Sequence, residues 1–273
     1  MMKRFLSHSW ILLLLSVSHA ALSQSTAKKP FVMGVIEEIY SNELKEKRYL
    51  NIYLPEGYSP DSAALYPVIY LLDGSADEDF IHVSGLVQFY NFPWIDVLPK
   101  SIVVGIANRD RKRDFTYPTT IEKDKKDFPT TGGSSQFISF LEKELQPYIQ
   151  KNYKTSTSKM LIGQSLGGLL ATEILFKKPS MFDQYIIVSP SLWWDKESLL
   201  KLSPVAPTQP TKVIIAVGKE GRIMERDAKK LYQFLKHQDS SQLKVGFDYL
   251  KNKNHATIYH QALANAFMLL KAL

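Results

Sequence analysis

A serine becomes a useful nucleophile when its hydroxyl is lifted clear of the backbone and given a base. One stretch of this chain has residue types suited to the first requirement. In Lys159-Met160-Leu161-Ile162-Gly163-Gln164-Ser165-Leu166-Gly167-Gly168-Leu169-Leu170, a strand-favouring apolar run ends at Gly163 and a helix-favouring run follows Ser165. The bend between them fits the G-x-S-x-G elbow, where the serine is pinched into a strained conformation. Its neighbours must then be almost free of side chain, and Gly163 and Gly167 meet that need, while Gly168 lets the helix approach the sheet. Short glycine–serine patterns also occur in ordinary turns; the strand before and the helix after single this one out. The Ser165 hydroxyl would stand above the sheet, and the Leu166 amide at the helix N-terminus would stabilise an anion.

A serine hydroxyl is a poor nucleophile at neutral pH, so it needs a base within reach and a third group to orient that base. On such an elbow the acid and then the histidine follow the serine along the chain. His237, His255 and His260 all do. His237 ends a predicted helix beside a charged stretch, and His260 falls inside another. His255 lies in the polar loop Lys251-Asn252-Lys253-Asn254-His255-Ala256-Thr257, between the last predicted strand and the last helix, where a base belongs. For the acid, Val213 to Val217 runs into Gly218-Lys219-Glu220-Gly221, and Glu220 is the first carboxylate past the strand. Glu225 and Asp227, at the start of the next helix, are alternatives that helix-dipole stabilisation would also explain. A dyad without an acid is a third arrangement. A second oxyanion donor is expected from Asp73-Gly74-Ser75, through the amide of Gly74 or Ser75, although a plain strand-end turn uses Asp-Gly equally well. The chemistry would be acyl transfer, with Ser165 attacking an ester carbonyl while His255 takes its proton.

These side chains must be carried by a sheet. Pro67 to Leu72 and Ser101 to Ile106 are apolar without alternation, the pattern of strands buried on both faces. Met160 to Ile162, Tyr185 to Val188 and Val213 to Val217 repeat it, and Leu243 to Leu250 adds a last strand. Val32 to Tyr40 and Arg48 to Leu54 read as an antiparallel pair joined by the charged turn 42–47. Helical spacing runs from Ser134 to Tyr153, Ser165 to Phe176, Asp227 to His237 and Ile258 to Leu270. Strands alternating with helices predict an α/β fold with a mostly parallel central sheet, helices on both faces, and the ligand at the carboxyl ends of the strands. Glu122-Lys123-Asp124-Lys125-Lys126-Asp127 reads as a solvated loop.

The 273 residues are 45% hydrophobic, enough for one sizeable core, and no repeat or linker divides them. Cysteine is absent, which excludes disulfides, thiolate chemistry and Cys-based metal sites. The net charge of +7 is spread along the chain, so no nucleic-acid partner is expected. The N-terminus has its own pattern. Lys3 and Arg4, the apolar run Trp10 to Leu15 continuing to Val17, and then small residues predict a signal peptide over 1–23, cut near Ala20 or Ser23. The run is short for a membrane span, which needs about 20 apolar residues. Residues 24–273 would then form one exported domain, periplasmic or secreted, with no membrane span left. Nothing specifies an oligomeric state.

Several blocks together resemble a known family. They are Tyr66 to Gly74, Ala107-Asn108-Arg109 with Arg113-Asp114-Phe115-Thr116, Gly133 to Ile149, Gly163 to Gly168, and Ser189-Pro190-Ser191-Leu192-Trp193-Trp194. In this order they are similar to the putative-esterase family of α/β-hydrolases, and most to its siderophore-esterase branch; the family also includes feruloyl and acetyl esterases, S-formylglutathione hydrolases and mycolyl transferases. The resemblance covers nearly all of the chain after the signal segment. It implies an α/β-hydrolase fold, a small-molecule ester substrate and no metal or organic cofactor. It also implies that Ser165 is the nucleophile, His255 the base and the Gly74 loop an oxyanion contributor; the acid is where relatives vary. Trp193 would flank an aromatic or bulky acyl group, or pack as a lid; Trp194 is expected to pack. Arg109, in the basic cluster with Arg111, Lys112 and Arg113, would meet an anionic substrate, or simply be solvated. The expected function is ester hydrolysis. An acyltransferase of the same fold and a binding protein on a hydrolase scaffold are the alternatives.

Overall fold

Eight strands form one sheet in the order β1-β2-β4-β3-β5-β6-β7-β8 in the computed structural model, which describes residues 28–238 and 241–273. The strands are β1 Val35–Ser41, β2 Glu46–Tyr53, β3 Tyr66–Leu71, β4 Ile102–Ile106, β5 Thr155–Gln164, β6 Gln184–Val188, β7 Thr211–Gly218 and β8 Leu243–Leu250. β1 and β2 are antiparallel at one edge, and every pairing from β4 to β8 is parallel. Met33–Leu273 makes one compact unit. Of the segment before it, residues 28–32 are described and carry neither helix nor strand. The expected signal peptide over 1–23 lies outside the described residues. No helix among the described residues is long and apolar enough to cross a membrane.

The unalternating strands are explained by two apolar layers. Val68, Tyr70 and Leu72 join one layer, and Ile69 and Leu71 join the other. Helices α4 (Ser134–Phe140), α5 (Gln146–Asn152), α6 (Leu166–Lys177) and α8 (Arg222–Lys236) cover the first face. Helices α1 (Phe80–Tyr90) and α9 (Tyr259–Ala272) cover the second. A strand covered on both sides gains from apolar residues at every position, so it loses its period-2 signature.

Some boundaries move. β5 starts at Thr155, ahead of the expected Met160, because its polar first half pairs with Tyr66 at the sheet's end while only the second half is buried. α8 begins at Arg222, not Asp227. The stretch from Ser134 is helical to Asn152, with a wider π-helical turn over Leu141–Leu145. That turn sits just before Pro147, which has no N–H to donate and whose ring crowds the preceding turn. The charge run expected as a loop is helix α3, Glu122–Asp127. It is solvated as expected, with no buried residue, but Lys125–Glu122 and Lys123–Asp127 pairs along its surface hold it helical. α1 and the short α2 (Arg111–Phe115) were not anticipated. α2 is capped by Asp110, whose side chain accepts from the Arg113 amide at 3.0 Å.

Candidate active site

Ser165 sits between β5 and α6 with φ +59° and ψ −118°, outside the regions that residues with a Cβ normally occupy. Gly163 permits the bend, since a Cβ there would stand 2.5 Å from the Gly167 carbonyl oxygen. The bend is clamped from two sides. Ser165 N donates to Val188 O at 3.0 Å, and Ser191 N donates to Ser165 O at 3.0 Å. The Leu166 amide is the first in α6 and belongs to the group of N–H donors that have no partner within the helix.

Glu220 and His255 arrive from the loops after β7 and β8. Glu220 Oε2 lies 2.6 Å from His255 Nδ1. The Glu220 side chain is 1% exposed and that of His255 45%. Glu220 Oε1 accepts from the Gly218 amide at 2.8 Å and from Ser189 Oγ at 2.5 Å. Burial pushes the Glu220 carboxyl up, but hydrogen bonds from His255, Ser189 and Gly218 outweigh it, and the group stays ionised below its ordinary range. An ionised carboxylate only accepts, so His255 Nδ1 carries the proton and Nε2 is left as the acceptor. The other candidates have different partners. Glu225 Oε1 accepts from the amides of Glu220 and Gly221, and its Oε2 from Tyr249. Buried Asp227 pairs with Arg226 at 2.7 Å. His237 Nδ1 faces the Gln233 carbonyl, and His260 packs against His82 in a tilted pair with ring centroids 4.9 Å apart.

Ser165 and His255 line the same open cleft, of about 660 Å³, together with Ser191, Trp193, Lys219 and Met224. Ser165 Oγ lies 3.3 Å from Ser191 Oγ. Gln164 ties the elbow to the loop that carries His255, because its Nε2 donates to the His255 carbonyl at 2.8 Å. Trp193 is partly buried and sits edge-on to fully buried Trp194, whose indole N–H donates to Tyr117 O at 2.9 Å. Lys219 is exposed and makes no ion pair among the described residues. No group of three or more His, Asp or Glu among the described residues is placed to hold a metal ion.

The loop expected to supply an oxyanion donor holds a correction. The Gly74 amide, an expected donor, is spent on Ile106 O at 3.1 Å, because it continues the ladder beyond β3. The Ser75 amide donates to the exposed Glu78 carboxylate at 3.2 Å, a contact that a side-chain rotation can release. Arg111 Nε and Nη2 grip Asp73 at 2.5 and 2.9 Å, and Nη2 also reaches Gln164 O at 3.4 Å. Arg109 is exposed and is not among the residues lining the cleft; the member of its cluster that reaches the elbow is Arg111. From sequence, Ser189, Ser191 and Gln164 were named only within motifs and Arg111 only as a member of the basic cluster; none was given a role of its own. The signal for the two serines was available: they flank Pro190 just past β6, on the same sheet edge as the elbow.

Comparison with known proteins gives the family and the fold. The family model described as "Putative esterase" matches residues 41–265. The chain belongs to this family. The esterase is 30% identical to the ferri-bacillibactin esterase BesA of Bacillus subtilis (strain 168) over 236 residues, 78% of this chain and 81% of that one. Its fold matches an IroE-like serine hydrolase from Shewanella oneidensis with a TM-score of 0.78 at 28% identity, over 88% of this chain and 80% of that one. A BES protein from Bacillus cereus matches with a TM-score of 0.76 at 28% identity, over 89% and 97%. The mostly parallel sheet with helices on both faces is thus the α/β-hydrolase fold.

Proposed function

We propose that this esterase works through an acyl-enzyme on Ser165, with His255 as base and Glu220 as the acid that orients it, and that its substrates are siderophore esters. The observation that carries the reading is the 2.6 Å contact between Glu220 and His255 beside a cleft that Ser165 also lines. Ser165 Oγ attacks the ester carbonyl carbon while His255 Nε2 takes the hydroxyl proton. The tetrahedral intermediate collapses, and the departing alkoxide receives that proton from His255. Water then attacks the acyl-enzyme, gives its proton to Nε2, and frees the acid as Ser165 recovers its own. The Leu166 amide stabilises the oxyanion, joined by the Ser75 amide once Glu78 turns away. Turning Ser165 Oγ from Ser191 toward His255 completes the arrangement.

The siderophore reading draws on relatives such as BesA, and three features of the cleft support it. It is open and wide, Trp193 and Met224 offer apolar surface to a bulky acyl group, and Lys219 offers an unpaired cation to an anionic one. We propose further that residues 1–23 are a signal removed on export and that 24–273 act as one domain; N-terminal sequencing of the exported protein checks the first point. The central test is a hydrolysis panel of short p-nitrophenyl esters, feruloyl esters and ferric siderophore esters, with Ser165→Ala beside the parent. We expect the parent to favour the siderophore esters, and the alanine variant to lose turnover and labelling by a fluorophosphonate probe. Retained turnover in the variant would overturn the assignment of the nucleophile.

A further inference from the structure

We propose that Ser189 is a positioning residue, which pins Glu220 in the orientation from which it steers His255. The inference rests on the Ser165–His255–Glu220 reading and adds a fourth side chain to it. Ser189 follows β6 directly, is fully buried, and is fastened to β7 by its amide, which donates to Ala216 O at 2.7 Å. It is not among the residues lining the cleft, so its hydroxyl serves the protein rather than the substrate.

Two observations point to the hydroxyl. The first is conformational. Ser189 has φ +44°, a region where glycine is the default residue and a Cβ is a burden. A strained serine persisting at such a point signals that its side chain is needed. The second is the division of labour on the carboxylate. Ser189 Oγ and the Gly218 amide both donate to Glu220 Oε1, at 2.5 and 2.8 Å, while Oε2 faces His255 Nδ1. Glutamate has one more rotatable bond than aspartate, so a glutamate used as the orienting acid needs more restraint. Two donors on one oxygen supply it, because they oppose both rotation of the carboxylate plane and exchange of its oxygens. The same bonds also help keep the buried carboxyl ionised. Without the hydroxyl, Gly218 N–H alone holds Oε1, and the acid is free to turn away from the imidazole.

The test compares kcat and KM on a p-nitrophenyl ester for the parent, S189A, S189G, E220A, the double variant S189A/E220A, and S165A, with melting temperatures alongside. Glycine relieves the backbone strain but lacks the hydroxyl, so it separates the two roles and guards against poor folding of S189A. We expect S189A and S189G to lose kcat by a similar factor, on the order of 10- to 100-fold, at nearly unchanged KM. In the E220A background S189A should cost almost nothing more, because its only route to the base is gone. An S189G protein with parental kcat, beside inactive S165A, would overturn the Ser189 role and leave the triad standing. An equal S189A loss with and without Glu220, or an E220A protein at full rate, would also overturn it. Parental turnover in S165A would remove the triad, and the Ser189 role with it.

Discussion

Glu220, Glu225 and Asp227 follow one another closely in the chain, and only their distance from the end of β7 and their place at the start of a helix separated them in sequence. What distinguishes them physically is the partner each meets: an imidazole from the loop after β8, backbone amides with Tyr249, and Arg226. Those partners are set by tertiary packing, which is why sequence alone could do no more than rank the three carboxylates. Ser189 was less legible still, because a buried serine after a strand has no pattern of its own. Asp79, just past the Asp73–Ser75 loop, shows a similar gap between sequence and environment. Burial raises its carboxyl to about 6, the nearby Asp73 and Glu78 add to the shift, and Arg111 opposes it. The folded chain therefore holds a proton on Asp79 that the unfolded chain has released, between the ordinary value of 3.8 and about 6. Stability from this group is full below that window and declines as the pH rises through it. We expect Asp79→Asn to raise the melting temperature at pH 7, by a free energy on the order of 1 kcal/mol after allowance for solvent screening. The gain should vanish below about pH 4, and an equal gain at both pH values would exclude ionisation as its cause.

The central strands and the elbow were readable in the sequence, because burial on both faces writes an unbroken apolar run and a bend around serine demands glycine. The elements that escaped did so for definite reasons. α1 buries Phe80, Val83, Ser84 and Val87, a narrow stripe interrupted by a serine. α2 is too short to show a period, and it is held by its cap and by an ion pair inside the protein. Arg48 on β2 meets Asp114 on α2 at 2.6 Å with both side chains fully buried, and the Arg48 guanidinium lies 5.2 Å from the Phe137 ring centroid. An arginine in the middle of a strand reads as a solvent-facing residue; here it is the link between the strand, α2 and α4. Asp114→Ala should leave the buried guanidinium short of a partner, at a cost toward the lower end of ~3–5 kcal/mol because Glu46 still accepts from Arg48. Denaturant unfolding measures that loss, and a change under about 0.5 kcal/mol, ordinary for a surface substitution, would show that the pair does not brace the fold.

At the scale of the whole molecule, the alternation of strand and helix was enough to predict a ligand at the carboxyl ends of a parallel sheet, and the cleft that Ser165 lines lies past those ends. Shape at the cleft's rim was not legible, since it depends on how loops from distant parts of the chain meet. The sheet is also uneven from centre to margin. β5, which leads to Ser165, lies between β3 and β6, whereas β8, which leads to His255, is an edge strand and only its Leu250 is buried. Gln164 spans the two by a single contact that is exposed to water. Gradual warming should therefore fray the margin first and silence turnover while most of the molecule is still intact. Reversible loss of activity is expected to begin several degrees before the main calorimetric transition, and amide exchange in β8 should outpace that in β5 and β6. The catalyst would then carry its own thermal fuse, set by a strand at the sheet's edge rather than by the strength of its core.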